Sequence, residues 1–150
     1  MNARILFGAA VAAVAVTLAG NAVASADPIP LNPDDYKVGD TVYFAANASG
    51  CQIRPTGDVG CWYGAGGAGW FGLPVSDLVI DLPFLPAHPS FGLWGEVARP
   101  GAKSFPLDDG TYTLSYAGAT CTVTGGAHFT TTCTSKGHSF TRGVEGTRFS

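Results

Sequence analysis

The chain has 150 residues, of which 46% are hydrophobic and only 13% are charged, with a formal net charge of −3. This mild acidity argues against the basic surface on which nucleic-acid binding depends, and no run of lysine or arginine is present to hold anionic lipid. We therefore expect no nucleic-acid partner.

The first 26 residues have the pattern of a secretory signal peptide. Arg4 supplies the positive start, residues 5–20 are apolar, and residues 24–26 (Ala-Ser-Ala) offer the small side chains that signal peptidase needs. The alternative is an uncleaved anchor helix, but an apolar run of about sixteen residues is short for a membrane span. The sequence predicts a protein exported to the outside of the cell or to the cell envelope, with no membrane span after cleavage.

The mature chain, residues 27–150, has the length of a single domain. Its seven basic and eleven acidic side chains give a net charge of −4. Residues 27–37 contain prolines and have little to bury, so we expect a mobile N-terminal arm. In an exported chain, four cysteines predict two disulfides, for which three pairings exist.

Sequence patterns typical of β-hairpins favour one of the three disulfide pairings. Residues 41–45 read as a strand and residues 47–50 as a turn, although the latter also match an N-glycosylation acceptor. If Cys51 faces Cys61, then Arg54 pairs with Asp58 and a three-residue loop ends at Gly57, where a left-handed residue is required. The sequence thus favours a Cys51–Cys61 bridge.

The middle of the mature chain is harder to interpret. Residues 64–72 are a glycine-rich loop without the strand, helix and lysine of a phosphate cradle. Residues 73–97 are apolar but contain four prolines, so at most two short strands fit, near 75–82 and 93–98.

The last forty residues repeat the hairpin pattern. Residues 111–116 alternate polar and apolar side chains, and a turn near Gly126 separates Cys121 from Cys133. Short strands are expected again at 137–140 and 146–149. Because no segment has helical spacing, the predicted class is all-β: a small disulfide-stabilised β-sandwich or open β-barrel with bridges Cys51–Cys61 and Cys121–Cys133.

The two hairpin regions also align at an offset of 70 residues. Thr41 falls on Thr111 and Cys51 on Cys121, whereas Cys61 misses Cys133 by two positions. Chance similarity between two glycine-rich β segments is the simpler explanation, and duplication is the alternative.

Side chains with catalytic or metal-binding chemistry are few. His88, His128 and His138 are scattered, so we expect no metal and no cofactor. His138 could act as a base, but no nucleophile motif accompanies it, and a structural role is expected instead. Asp77 and Asp81 are the one candidate for a carboxylate pair. We assign no catalytic residue and expect a protein that is not an enzyme.

Aromatic side chains are abundant, and those in glycine-rich or proline-rich loops are candidates for exposure. Exposed aromatic side chains commonly mark a contact surface. The predicted contact surface consists of Trp70, Phe71, Phe84, Phe91 and Trp94.

The C-terminal pattern resembles a known group. Cys121 and Cys133, followed by Gly137, His138 and Phe140, are similar to the end of small secreted actinobacterial two-disulfide β proteins of unknown function. Ser139 departs from the glycine usual there. The resemblance implies an exported, disulfide-bonded protein and supplies no catalytic residues.

The expected function is that of a non-catalytic binding module outside the cell or in its envelope. A small hydrolase is one alternative, and it would use His138 or the Asp77/Asp81 pair. A protease inhibitor is another, and it would present the rigid segment 83–89. The sequence leaves the partner and the oligomeric state open.

Overall fold

The computed structural model of the protein describes residues 27–106 and 108–150; the predicted signal peptide lies outside them. This part is built almost entirely of strands, with one 3-10 helix and no α-helix among the described residues. The strands are β1 (Ile29–Leu31), β2 (Lys37–Val38), β3 (Thr41–Ala46), β4 (Ser49–Ile53), β5 (Val59–Trp62), β6 (Ala68–Trp70), β7 (Leu73–Val75), β8 (Asp77–Ile80), β9 (Thr111–Tyr116), β10 (Ala119–Thr124), β11 (Thr130–Ser135), β12 (His138–Gly143) and β13 (Gly146–Phe149).

Most strands belong to two sheets that face each other. The larger has the order β1-β9-β10-β11-β12-β13 and the smaller the order β2-β3-β4-β5-β8, while β6 and β7 form a separate hairpin. Neither sheet closes into a barrel, and their inner faces share one core around Phe44, Leu114 and Phe140. The predicted all-β, disulfide-stabilised class is confirmed.

Both disulfides have the predicted pairing. Cys51 lies directly opposite Cys61, and Cys121 directly opposite Cys133, each in an antiparallel pair. All four are fully buried, and the sulfurs of Cys61 and Cys133 are 3.9 Å apart. The two bridges therefore meet between the sheets.

The 70-residue offset is a structural repeat. β3 and β9 begin and end at equivalent positions, as do the starts of β4 and β10. Phe44 pairs with Cys51 in one half, and Leu114 pairs with Cys121 in the other. Each half contains a three-stranded meander, β3-β4-β5 or β9-β10-β11, closed by one disulfide. The choice between chance similarity and duplication stays a prediction.

Tight turns follow the expected chemistry. The amide of Arg54 donates to Asp58 O, and Gly57 has a φ of 79°, which confirms the three-residue loop. The turn after β3 is made by Asn47 and Ala48, both left-handed, and β4 starts at Ser49.

The segment after β8 differs from the prediction. No strand forms at residues 93–98, because Gly92 and Gly95 turn the chain. Instead this segment lies over the outer face of the smaller sheet. A Cβ on Gly50 would lie 2.4 Å from Ala98 Cβ, and one on Gly60 would lie 2.9 Å from Trp94 Cζ3, so two glycines make room for it.

The strand expected at 75–82 is shorter than predicted and is interrupted at Ser76, since β7 ends at Val75 and β8 covers only Asp77–Ile80. The glycine-rich loop 64–72, expected to lack regular structure, contains β6. A two-residue turn joins β6 to β7 because Trp70 pairs with Leu73.

Residues 27–37 have more to bury than expected. β1 pairs in parallel with β9, and Asn32 caps the 3-10 helix Pro33–Tyr36 by accepting from the Asp34 amide. Tyr36 is buried against Phe105. Mobility of the first residues stays a prediction. Within the described ranges, no helix has the length and apolar character needed to cross a membrane.

Candidate contact surface

Four of the five predicted contact residues reach the surface. Phe71, Phe84 and Phe91 are 73%, 79% and 70% exposed, and Trp70 is half-buried. Trp94 is only 8% exposed, so its assignment to the contact surface is wrong.

Trp94 is buried because it anchors the segment that lies over the outer face of the smaller sheet. We call this segment, residues 87–98, the covering segment. Its indole Nε1 donates to Asp81 Oδ2 at 2.9 Å, and the Arg54 guanidinium lies 3.9 Å from the centre of its ring. Arg54 also donates to the Trp94 carbonyl at 2.9 Å. With Val79 and Val97, Trp94 forms a second small core on the outer face of the sheet.

Three of the remaining aromatic side chains, Trp70, Phe71 and Phe91, form a continuous row. Trp70 contacts Phe71 and Phe91 edge-on, with ring centroids 5.4 and 6.1 Å apart. Phe71 stacks on Phe149, and Phe91 stacks on His88. Phe84 follows the far end of β8 and makes none of the aromatic contacts found among the described residues.

Phe71 and Phe91 occupy equivalent tight turns. The backbone is left-handed at both residues, with a φ of 46° at Phe71 and 52° at Phe91. Each is followed by a glycine whose backbone is also left-handed. The first turn joins β6 to β7. The second covers residues 90–93 and is closed by a hydrogen bond from the Leu93 amide to the Ser90 carbonyl.

Both turns have the sequence Phe-Gly-Leu. The leucines, Leu73 and Leu93, are 59% and 88% exposed. The prediction missed these leucines, although the repeated tripeptide was visible in the sequence. We call the set Trp70, Phe71, Leu73, Phe91 and Leu93 the aromatic patch.

A groove lies between the two turns. It has a volume of about 610 Å³, and its walls include Trp70, Leu73 and Phe91. Trp62, an exposed residue that was not predicted as a contact, lines this groove and an adjoining one of about 490 Å³. The patch is therefore continuous with a concave, largely apolar surface.

Asp77 and Asp81 hold the covering segment to β8. Asp77 accepts from both the amide and the hydroxyl of Ser90. Asp81 Oδ1 lies 3.1 Å from His88 Nε2, while Trp94 occupies its other oxygen. The two carboxylates bind different partners, and each has both of its oxygens engaged.

The histidines lie apart. His88 is tied to Asp81, His138 Nε2 donates to Pro83 O at 3.1 Å, and His128 lines a small pocket beside β12 and β13. In the described ranges no three His, Cys, Asp or Glu side chains are placed to hold a metal ion. The hydrogen bond to Pro83 gives His138 a structural contact with the segment that follows β8.

One buried polar atom stands out. The hydroxyl of Tyr63 is enclosed and has no hydrogen-bond partner among the described residues. Burial raises the pKa of Tyr63 well above its usual value, although nearby Arg142 opposes the shift. Both residues line a pocket of about 210 Å³ at the end of the sandwich.

Comparison of the chain with protein-family models, curated proteins and solved structures gave no match.

Proposed function

We propose that this protein is a secreted, non-catalytic binding module that attaches to a partner outside the cell or in the cell envelope through the aromatic patch. The observation that carries the proposal is that Phe71 and Phe91 have exposed rings on a backbone held in the left-handed region. Export, and kinship with the small actinobacterial proteins that the C-terminal pattern resembles, belong to the same proposal.

The energetics of the two turns support contact rather than folding. A non-glycine residue in the left-handed region costs about 1–2 kcal/mol, and asparagine is the residue that such turns usually use. Because the rings of Phe71 and Phe91 stay largely in water, the folded state recovers little of that cost. Burial of such a side chain in a complex is worth roughly 1.5–3 kcal/mol.

The scaffold fixes the two turns relative to each other. Trp70 Nε1 donates to the Ala87 carbonyl at 3.2 Å, which joins the β6–β7 hairpin to the covering segment. His88 and Val79 exchange backbone hydrogen bonds, and Asp77 holds Ser90 at the start of the second turn. A surface held in this way loses little entropy on binding.

The contacts of the carboxylates favour binding over hydrolysis. A carboxylate pair that performs acid–base chemistry must face one cleft. Here Asp77 binds Ser90, whereas Asp81 binds His88 and Trp94. Both carboxylates therefore hold the structure together.

Binding of the oxidised, exported chain to cell envelopes of its source organism tests the proposal. We expect Phe71→Asn/Phe91→Asn to lose affinity by at least about tenfold, since two buried rings are removed. Phe84→Asn is the matched control, because Phe84 is equally exposed but lies outside the patch. Equal affinity of the double variant and the wild type would overturn the proposal.

A further inference from the structure

We propose that the partner of the aromatic patch is the surface of an uncharged lipid layer, an inference that rests on the proposed function. Residues 70–75 and 89–95, which contain both turns, include no charged side chain. What they expose is hydrocarbon, in the form of Phe71, Leu73, Phe91 and Leu93.

Several polar groups of these turns are already engaged. Ser90, the one hydroxyl residue in the two segments, is buried and donates to Asp77. The amide of Leu93 bonds to the Ser90 carbonyl, and the β6–β7 hairpin pairs the residues that flank its own turn. Entry into hydrocarbon is costly for unsatisfied polar groups, and these hydrogen bonds reduce that cost.

Other partner classes need groups that the patch does not present. Protein interfaces contain about one hydrogen bond per 100–200 Å², and sugar hydroxyls likewise require donors and acceptors. The patch instead projects two pairs of large apolar side chains from the tips of adjacent turns. A lipid layer receives such side chains without directional bonds.

Tryptophan is placed where a lipid interface favours it. Trp70 lies behind both phenylalanines and is half-buried, with its Nε1 bonded inward to Ala87 O. Trp62, which is exposed, lines the groove between the turns. Tryptophan rings concentrate at the headgroup level of lipid layers, so insertion of the two turns would bring Trp70 to that depth.

The charges around the patch favour a lipid without net charge. Charges of both signs surround the patch: Asp77 lines the groove, Glu96 and Arg99 line the adjoining one, and Arg142 lines a pocket beside Leu73. The mature chain carries seven basic and eleven acidic side chains. This net negative charge supplies no attraction to an anionic surface, and because the two turns are uncharged, their binding to an uncharged layer should be insensitive to salt.

Co-sedimentation with phosphatidylcholine vesicles tests the inference. The wild type and Phe84→Asn should bind equally at low and high salt, with a blue shift of tryptophan fluorescence. Phe71→Asn/Phe91→Asn should bind at least about tenfold more weakly. Thermal melting of each variant verifies that it is folded.

Two results would overturn the inference. Binding only to vesicles that contain phosphatidylglycerol, and only at low salt, would indicate electrostatic attachment. Failure to bind either vesicle, while envelope binding still depends on Phe71 and Phe91, would assign the patch to a protein or glycan and leave the proposed function standing. If the double variant binds cell envelopes as well as the wild type does, the proposed function itself is overturned.

Discussion

At the residue scale, the backbone at Phe71 and Phe91 has φ values that few bulky side chains adopt. The turns at Ala117 and Lys136 are also left-handed, so the fold uses this turn type repeatedly. Among the described residues, only those of the patch place an exposed aromatic ring at such a turn. Such strain is concentrated at functional sites, where it is retained for a reason other than stability.

Replacement of Phe71 or Phe91 by asparagine should therefore stabilise the protein. Asparagine tolerates the left-handed region, and we expect each substitution to raise the free energy of unfolding by about 0.5–1 kcal/mol. Urea denaturation followed by circular dichroism measures the change. A lower midpoint for both variants would mean that the rings contribute to the fold, and Phe84→Asn provides the reference for loss of an exposed ring.

Tyr63 provides a second prediction at this scale. Because its hydroxyl is buried without a partner, Tyr63→Phe should leave the free energy of unfolding unchanged or raise it by about 1 kcal/mol.

The raised pKa of Tyr63 also gives a pH dependence. The unfolded tyrosine loses its proton from about pH 10, while burial keeps the folded one protonated. The contribution of protonated Tyr63 to the free energy of unfolding is complete below pH 10. Above pH 10 it decreases by about 1.4 kcal/mol per pH unit. Tyr63→Phe should flatten this part of the stability curve. A slope equal to that of the wild type would show that Tyr63 is not the group responsible.

At the element scale, the segment between β8 and β9 decides where the patch lies. It carries Phe91 and Leu93, and it is held on the outer face of the smaller sheet by Asp77, Asp81 and Arg54. The β6–β7 hairpin meets it through Trp70. Neither element alone would present the complete patch.

The contact of β12 with this segment can be tested through His138. The Nε2–H of His138 donates to the Pro83 carbonyl, and the pair is partly open to water. We expect His138→Ala to lower the free energy of unfolding by about 0.5–1.5 kcal/mol, the net worth of one hydrogen bond. Thermal melting measures the loss, and an unchanged midpoint would show that the contact does not stabilise the fold.

At the scale of the whole molecule, two similar meanders share one core. The Cys51–Cys61 and Cys121–Cys133 bridges touch, and Ser135 of the second half donates to the carbonyl of Gly57 in the first. Separation of the halves would expose the buried residues of both sheets.

We therefore expect the oxidised protein to unfold in a single transition, with equal calorimetric and van't Hoff enthalpies. Differential scanning calorimetry provides both values. Two resolved transitions would show that the repeats unfold independently.

Local signals explain what the sequence could predict. The pairing of Cys51 with Cys61 followed from turn chemistry at Gly57, which lies within the same hairpin. The burial of Trp94 depends on Arg54, which is 40 residues away, and on Gly60 beneath the ring. Such contacts leave no periodic pattern, so the sequence placed Trp94 on the surface. The exposed leucines of the patch had a local signal in the repeated Phe-Gly-Leu.

The central claim, that the aromatic patch is the contact surface, can be tested most directly by hydroxyl-radical footprinting of the unmodified protein bound to cell envelopes. Bound protein should show several-fold lower oxidation of Phe71 and Phe91 than free protein, while oxidation of Phe84 stays the same. Protection of Phe84 without protection of Phe71 and Phe91 would contradict the claim.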